Sequence, residues 1–442
     1  LLDYLRLLRS LRGTKEGCAE GDCGACTVLV GRLAGDELVY EGVNACIRFV
    51  GSLDGCHVVT VEHLKRADGS LHPVQQALVD LHGSQCGFCT PGFVMALYGL
   101  WMRNPDPSER EIEVALQGNL CRCTGYEPIV KAAKAASGYG RPDADPLVSE
   151  RAAVKAALSA MKDGARIEIG ADDGRLIVPA DVKDLAAVLA EHPKATIVAG
   201  STDVGLWVTK HMRAISPAVF IGGLAELRGV TLADGVLTIG ALTTYTDAIA
   251  EIGRHIPAWR TLIERIGGDQ VRNMGTIGGN VANGSPIGDT PPPLIALGAE
   301  VVLRSAVGTR TLLLEEFFIE YGKQDRKPGE FVEAIRVRLP EPDTIYTVHK
   351  VTKRRDEDIT AVLGAFHLAL DGGVVSAARI AYGGMAGTPK RARAVEAALV
   401  GKPWTAETVE AALPAFEADF QPLTDMRASA TYRMMVAKNL LR

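Results

Sequence analysis

From Thr27 to Val61 the chain alternates short apolar runs ("TVLVG", "ELVYEG", "HVVTVE") with glycine and acid, the pattern of small strands and tight turns. From Leu71 the period becomes helical. His72-Pro73 opens a helix with Val74, Ala77, Leu78 and Leu81 on one face and Gly83 as its stop. Thr90-Pro91 starts a second, with Phe93, Val94, Leu97, Leu100 and Trp101 facing inward. Ser108 with Glu111 forms a capping box for a third, and Pro128 seeds a fourth through "IVKAAKAA". The stretch "SGYGRPDADP" reads as a linker. Beyond it, a helix ("VKDLAAVLAEHP") runs into a strand ("ATIVAG") in a long α+β region. A softer boundary falls at "LPEPDT", followed by strands and then helices ending in "SATYRMMVAKNLL". The expected division is 1–65, 66–137, a linker at 138–150, 151–340 and 341–442. There is no internal repeat or low-complexity segment.

Bulk composition changes this picture little. With 442 residues, 47% hydrophobic and 23% charged, the chain reads as a soluble multidomain protein. A net charge of −5 gives no reason to expect nucleic acid or an anionic membrane as partner. The longest apolar stretch, "GFVMALYGLWM", is too short to span a bilayer. No secretory signal is visible, although the sequence lacks an initiator Met, and a cytoplasmic location is expected.

The nine cysteines change it a great deal. All lie between Cys18 and Cys123, and the count is odd in a chain far too long to need disulfide stapling. Cys18-x4-Cys23-x2-Cys26 with a distant Cys46 is the plant-type ferredoxin spacing for a 2Fe–2S cluster. Gly17, Gly21 and Gly24 let such a loop curl its amides toward the cluster's negative charge. Zinc is the bland alternative, though its structural sites usually present two separated knuckles. Cys56 rivals Cys46 as fourth ligand; it lies in a polar turn, and Cys46 is preferred. Cys86-x2-Cys89 and Cys121-x-Cys123 are each weak alone, and "CGFC" also fits a thioredoxin-like pair. Between helices, the economical reading is a second 2Fe–2S cluster. Two one-electron centres in series suggest conduction, with a two-electron cofactor nearby.

The later region lacks a GxGxxG fingerprint and a Walker loop, yet contains "ATIVAGSTDVGLW" and "GTIGGNVANGSPIGDTPP". The second stretch offers amides, hydroxyls and an acid suited to a pyrophosphate and a sugar. The competing reading is a pair of tight turns, which such loops often are.

The set "GCAEGDCGAC…NAC…QCGFCTPG…NLCRCTGY" resembles the iron–sulfur part of the molybdenum hydroxylase family, which includes xanthine dehydrogenase, aldehyde oxidase and carbon monoxide dehydrogenase. The resemblance implies an α+β multidomain fold. Its parts are a plant-type ferredoxin-like β-grasp domain, a four-helix 2Fe–2S bundle, a two-part α+β FAD-binding domain and an α+β C-terminal domain. It implies Cys18, Cys23, Cys26 and Cys46 as ligands of one cluster and Cys86, Cys89, Cys121 and Cys123 as ligands of the other. Gln85 and Cys123 would approach the molybdopterin of a partner chain.

Both glycine-rich stretches resemble the family's FAD loops. Ile197, Val198, Ala199, Gly200, Ser201, Thr202, Asp203 and Val204 match the first, where Ser201 replaces a glycine common in relatives. Thr276, Gly279, Asn280, Ser285 and Asp289 match the second, and Ile266, Val332 and Lys350 match further flavin contacts. Family members usually open with a strand hairpin, whereas this sequence starts at "LLDYLRLL". The charged run Lys353 to Asp358 reads alone as a solvated loop. By resemblance it lies beside the flavin, where Glu357 would oppose build-up of anionic reduced flavin and nearby arginines would attract NAD.

The layout resembles the small subunit of bacterial xanthine dehydrogenases, implying a molybdopterin-binding large subunit and a heterotetramer of two small and two large chains. NAD is the expected acceptor and oxygen a poor one. Two alternatives stand beside this. One is the same subunit of an enzyme acting on an aldehyde, nicotinate or aromatic thioester; the other is a non-catalytic iron–sulfur redox sensor, which would need no flavin loops.

Overall fold

The structure is a computed structural model that describes residues 1–66, 68–170 and 174–442. The chain is α+β and falls into two compact units, the first of residues 1–181, 195–223 and 267–275, the second of 182–194, 224–266 and 276–442.

The first unit opens with a helical turn, Tyr4–Leu8, and a small antiparallel sheet of β1 (Thr27–Ala34), β2 (Glu37–Asn44) and β3 (His57–Val59), with β1 in the centre. The alternating apolar runs become these strands because one face packs inward. Val28, Val30, Val43 and Ala45 share a core with Leu2, Leu5, Cys26 and Ile47.

Four helices follow: α1 (Pro73–Asp80), α2 (Thr90–Arg103), α3 (Glu109–Leu116) and α4 (Glu127–Ala135). Both expected starts at His72 and Ser108 form full capping boxes, with Gln75 and Glu111 reaching back to the cap backbone. Helix α2 buries Phe93, Val94, Leu97, Leu100 and Trp101 as its periodicity requires.

The segment after α4 is anchored to the bundle. Asp145, 2% exposed, accepts hydrogen bonds from the Tyr98 hydroxyl at 2.7 Å and the Leu147 amide at 2.9 Å, and pairs with His72 Nε2 at 3.1 Å. A second sheet completes this unit: β4 (Ile167–Ile169), β5 (Leu176–Val178), β6 (Thr196–Val198) and β7 (Ala218–Phe220), in the order β4-β5-β7-β6. Its last three strands are parallel.

The second unit holds a five-stranded antiparallel sheet, in the order β11-β10-β14-β9-β8. Its strands are β8 (Val230–Ala233), β9 (Val236–Gly240), β10 (Glu300–Ser305), β11 (Gly308–Leu313) and β14 (Phe331–Arg338). A short hairpin, β12 (Phe318–Glu320) with β13 (Lys323–Gln324), lies between β11 and β14 in sequence. A four-stranded sheet, β15 (Ile345–Val351), β16 (Val362–Asp371), β17 (Val374–Gly383) and β18 (Lys390–Arg391), is backed by the C-terminal helices and ends the chain. No helix of the described residues is long and apolar enough to cross a membrane.

Candidate functional site

The first cysteine loop is held by backbone that only glycine suits. Gly21 and Gly24 have φ of +81° and +67°. A Cβ on Gly17 would lie 2.7 Å from the Cys23 sulfur, and one on Gly24 would strike the Gly118 carbonyl. The amides of Glu20 and Cys23 donate to the Cys18 sulfur at 3.5 and 3.4 Å. Cys18 is thereby held well below the ordinary thiol range, chiefly by the thiols of Cys23 and Cys46 and then by these amides. Cys26 is also lowered, by the Cys46 thiol against the opposing effect of burial; Cys23 and Cys46 are raised as their partners take the charge. The fully buried Asn44 amide lies against Cys26 with no hydrogen-bond partner of good geometry among the described residues. A buried amide left in this state is suited to a charged sulfur cluster.

The second group gathers at the mouths of α2 and α4. Cys123 Sγ lies 3.5 Å from Cys86 Sγ, both exposed, while Cys121 is buried. The Phe88 amide and then the Cys123 thiol lower Cys86. Burial opposes ionisation of Cys121, but the Thr124 hydroxyl, 3.2 Å away, and nearby amides outweigh it. Burial pushes Cys89 up to about 12. Gly87, Gly125 and Tyr126 take left-handed backbone to turn the loops, and the Tyr126 hydroxyl accepts from the Cys121 amide at 3.0 Å.

Among the described residues no three His, Cys, Asp or Glu side chains converge tightly enough to hold one ion. The thiols instead meet pairwise: Cys18 with Cys23 and Cys46, Cys26 with Cys46, Cys86 with Cys123, Cys89 with Cys121. Four thiolates spread over two irons is the donor set of a 2Fe–2S cluster, and both quartets fit it. Cys56 is not in these thiol pairs; its sulfur lies 3.6 Å from the Asp54 carbonyl. Gln85 is exposed at the second loop, with Phe88, Leu120 and Tyr126 also exposed around it.

The two loops touch through backbone. Leu120 N–H donates to the Cys23 carbonyl at 3.0 Å. Beside it the Gly24 carbonyl accepts from the Thr27 hydroxyl at 2.7 Å and the Asn119 amide at 3.2 Å. Thr27 directly follows Cys26 and Asn119 opens "NLCRCTGY", but motif spacing does not show that the two meet at the Gly24 carbonyl.

The residues expected at a flavin fall in both units. In the first, Ile197 and Val198 end β6, Ala199 to Asp203 form the turn leaving it, and Val204 opens the helix Val204–Thr209. Ser201 has a φ of +60°, is buried, and its hydroxyl has no hydrogen-bond partner among the described residues. Gly200 cannot carry a Cβ, because the Met274 carbonyl lies there. A tight turn with an orphaned hydroxyl fits a phosphate-bearing ligand.

In the second unit, Thr276 caps the helix Ile277–Asn283, its hydroxyl accepting from the Gly279 amide at 3.1 Å. A Cβ on Gly279 would meet that oxygen at 2.6 Å. The Asn280 side-chain Oδ1 accepts from the Thr290 amide at 3.4 Å, and the Ser285 backbone carbonyl accepts from the Gly288 amide at 3.0 Å. Asp289 and Lys350 pair at 2.6 Å, both buried. The Thr360 hydroxyl also donates to Asp289, and Lys350 donates to the Arg265 carbonyl at 3.0 Å.

Ile266 is half-buried, and Val332 is packed within the sheet core opposite Leu303. Glu357 has a φ of +48°, and its carbonyl accepts from Arg354 at 2.7 Å. Sequence reasoning missed Thr360 and Arg265. The Arg265 guanidinium grips the Lys350 carbonyl at 2.8 Å and the Arg355 carbonyl at 3.2 Å, a role no local motif announces.

Comparison with known families identifies the parts. Residues 60–134 match the 2Fe-2S binding domain, 168–342 the FAD binding domain in molybdopterin dehydrogenase, and 347–442 the CO dehydrogenase flavoprotein C-terminal domain. The second cysteine quartet falls within the first of these domains and the flavin-type turns within the second, which defines an iron–sulfur flavoprotein. The chain is 31% identical to carbon monoxide dehydrogenase from Hydrogenophaga pseudoflava, with a TM-score of 0.57 over 60% of this chain and 93% of that one. The chain belongs to the molybdenum hydroxylase family. Quinoline 2-oxidoreductase from Pseudomonas putida matches with a TM-score of 0.55 at 25% identity, covering 60% of this chain and 92% of that one. Xanthine dehydrogenase of Drosophila subobscura is 33% identical over 88% of this chain and 33% of its own length, so the chain spans a third of that relative.

Proposed function

We propose that this chain is the electron-transfer subunit of a xanthine dehydrogenase. It would take electrons from a molybdopterin site on a separate large subunit, where hypoxanthine and xanthine become urate, and deliver them to NAD. The observation that carries the reading is the joining of two thiolate quartets by direct backbone contact at Cys23 and Leu120. When bound, the 2Fe–2S clusters supply one-electron carriage and FAD supplies its conversion to hydride transfer.

The chain's own residues have plain tasks. The eight cysteines hold iron. Residues 197–204 in the first unit, and separately Thr276, Gly279, Asn280, Ser285, Asp289 and Lys350 in the second, are the flavin-contacting residues by resemblance. Glu357 and the charged loop around it tune the flavin's readiness to pass a hydride. Exposed Phe88, Leu120 and Tyr126 around Cys86 and Cys123 support coverage by the large subunit, with two copies of each chain in the assembly. The curated relative named above supports the purine substrate.

A second reading rests on the solved neighbours, which oxidise carbon monoxide or quinoline by their names. Anaerobic mixing of the whole complex with xanthine, quinoline, an aldehyde or carbon monoxide separates the two. Xanthine should bleach the visible absorbance and form urate, with NADH on addition of NAD and a slow rate with oxygen. Bleaching by another substrate alone would transfer the assignment to it, and a complex without flavin would point to a sensor.

A further inference from the structure

The short helix Asp269–Met274 lies far from either cysteine quartet in sequence, yet it reaches the backbone of the first and the approach to the second. Gln270 is 2% exposed, and its side-chain amide donates twice: to the Thr27 hydroxyl at 3.0 Å and to the Asn119 carbonyl oxygen at 2.8 Å. Each acceptor in turn holds the Gly24 carbonyl, between Cys23 and Cys26; Asn119 also stands two residues before Cys121.

Two glycines allow the close approach. A Cβ on Gly118 would strike Gln270 Oε1, and one on Gly92 would strike the Gly24 carbonyl. A buried amide with both hydrogens engaged fixes its acceptors in distance and direction, because leaving one unpaired is costly.

We propose that Gln270 is a positioning residue for electron transfer between the two quartets, setting the register of Cys23 against Leu120 and Cys121. The inference rests on the reading that both quartets hold 2Fe–2S clusters. The step it serves moves one electron and makes or breaks no bond. The reductant is the substrate oxidised on the large subunit, and NAD is the final acceptor.

The test uses the whole complex with Gln270→Ala, the isosteric Gln270→Glu, and Asn273→Ala. Asn273 sits on the same helix but donates to the Gly42 carbonyl at 2.9 Å, away from the Gly24 knot. Paramagnetic resonance of the fully reduced complex reads the spin–spin splitting between the centres. Iron and sulfide analysis, run separately, tests the two-cluster reading. The proposal expects full iron in every variant, loss or shrinkage of the splitting in both Gln270 variants, and unchanged splitting in Asn273→Ala. If Gln270→Ala fails to assemble, Thr27→Val, which removes one acceptor, takes its place. Unchanged splitting in the Gln270 variants, or an equal change in Asn273→Ala, overturns the proposal. Too little iron in the unsubstituted complex overturns the two-cluster reading instead.

Discussion

The amide of Leu120 donates to the carbonyl of Cys23 at 3.0 Å. Apart from covalent bonds, this single hydrogen bond separates a ligand of the first quartet from Cys121, a ligand of the second. Gly24 protects the contact, since its φ of +67° and the Gly118 carbonyl leave no place for a side chain. Gly24→Ala should therefore destabilise the first unit by about 2 kcal/mol or more. It should also lower iron content through loss of the first cluster. Iron analysis with a denaturant titration checks both, and an unaltered iron content would count against this account.

The fourth ligand of the first loop is separable by substitution. Cys46 touches Cys18 and Cys26, whereas Cys56 points to the Asp54 carbonyl. Cys46→Ser should remove one paramagnetic centre and Cys56→Ser should leave both. The reverse pattern would make Cys56 the ligand.

Asp145 ties the segment after α4 to the bundle through His72 and Tyr98. Burial works against its ionisation, but the hydrogen bonds from His72, Tyr98 and Leu147 outweigh it and hold the carboxyl below its ordinary value. Its stabilising contribution is thus complete above the unfolded carboxylate value, near pH 4, and is lost as pH falls through the lower folded value. Asp145→Ala should cost about 3 kcal/mol at neutral pH, since it strands the buried Tyr98 hydroxyl and His72 ring. The difference from the unsubstituted protein should shrink on acidification. A constant difference from pH 7 to pH 3 would contradict the assignment.

Lys350 and Asp289 form a buried ion pair at 2.6 Å. Removing one partner leaves a buried charge uncompensated, so Lys350→Met should destabilise the second unit by roughly 3–5 kcal/mol. The double variant Lys350→Met with Asp289→Leu should recover much of that. If these side chains also orient FAD, the double variant will fold without regaining flavin. Thermal melting beside the flavin-to-iron ratio distinguishes the two roles.

Ser201 occupies left-handed backbone, and its hydroxyl has no hydrogen-bond partner among the described residues. Ser201→Gly relieves that strain and should raise stability by about 1 kcal/mol, with flavin retained. A lower unfolding midpoint would mean that the hydroxyl holds something the backbone penalty is spent on.

What was readable in the sequence was local. His72-Pro73 announced a helix start through its proline, and Ser108 another because its reciprocal residue Glu111 lies three positions on. The cysteine quartets announced themselves because iron ligation needs particular side chains, and glycine marked the tight loops. The Gly24 knot was not readable, since Thr27, Asn119 and Gln270 come from three distant segments and only the fold brings them together. Asp145 looked like part of a flexible linker because its composition is that of one. Only its distant partners in the bundle reveal the anchor. Val332 likewise carries a flavin expectation by resemblance, while its packing is that of an ordinary sheet residue.

The chain passes back and forth between its two units, with residues 267–275 returning to the first after residues 224–266 have entered the second. That interleaving bears on modularity. A fragment ending at residue 150 would contain every cysteine yet leave Thr27, Asn119 and Gly42 uncovered where Gln270 and Asn273 now sit. The iron-holding portion is thus completed by residues encoded more than a hundred positions after its last ligand. Separating the two would leave that helix to be supplied by another chain.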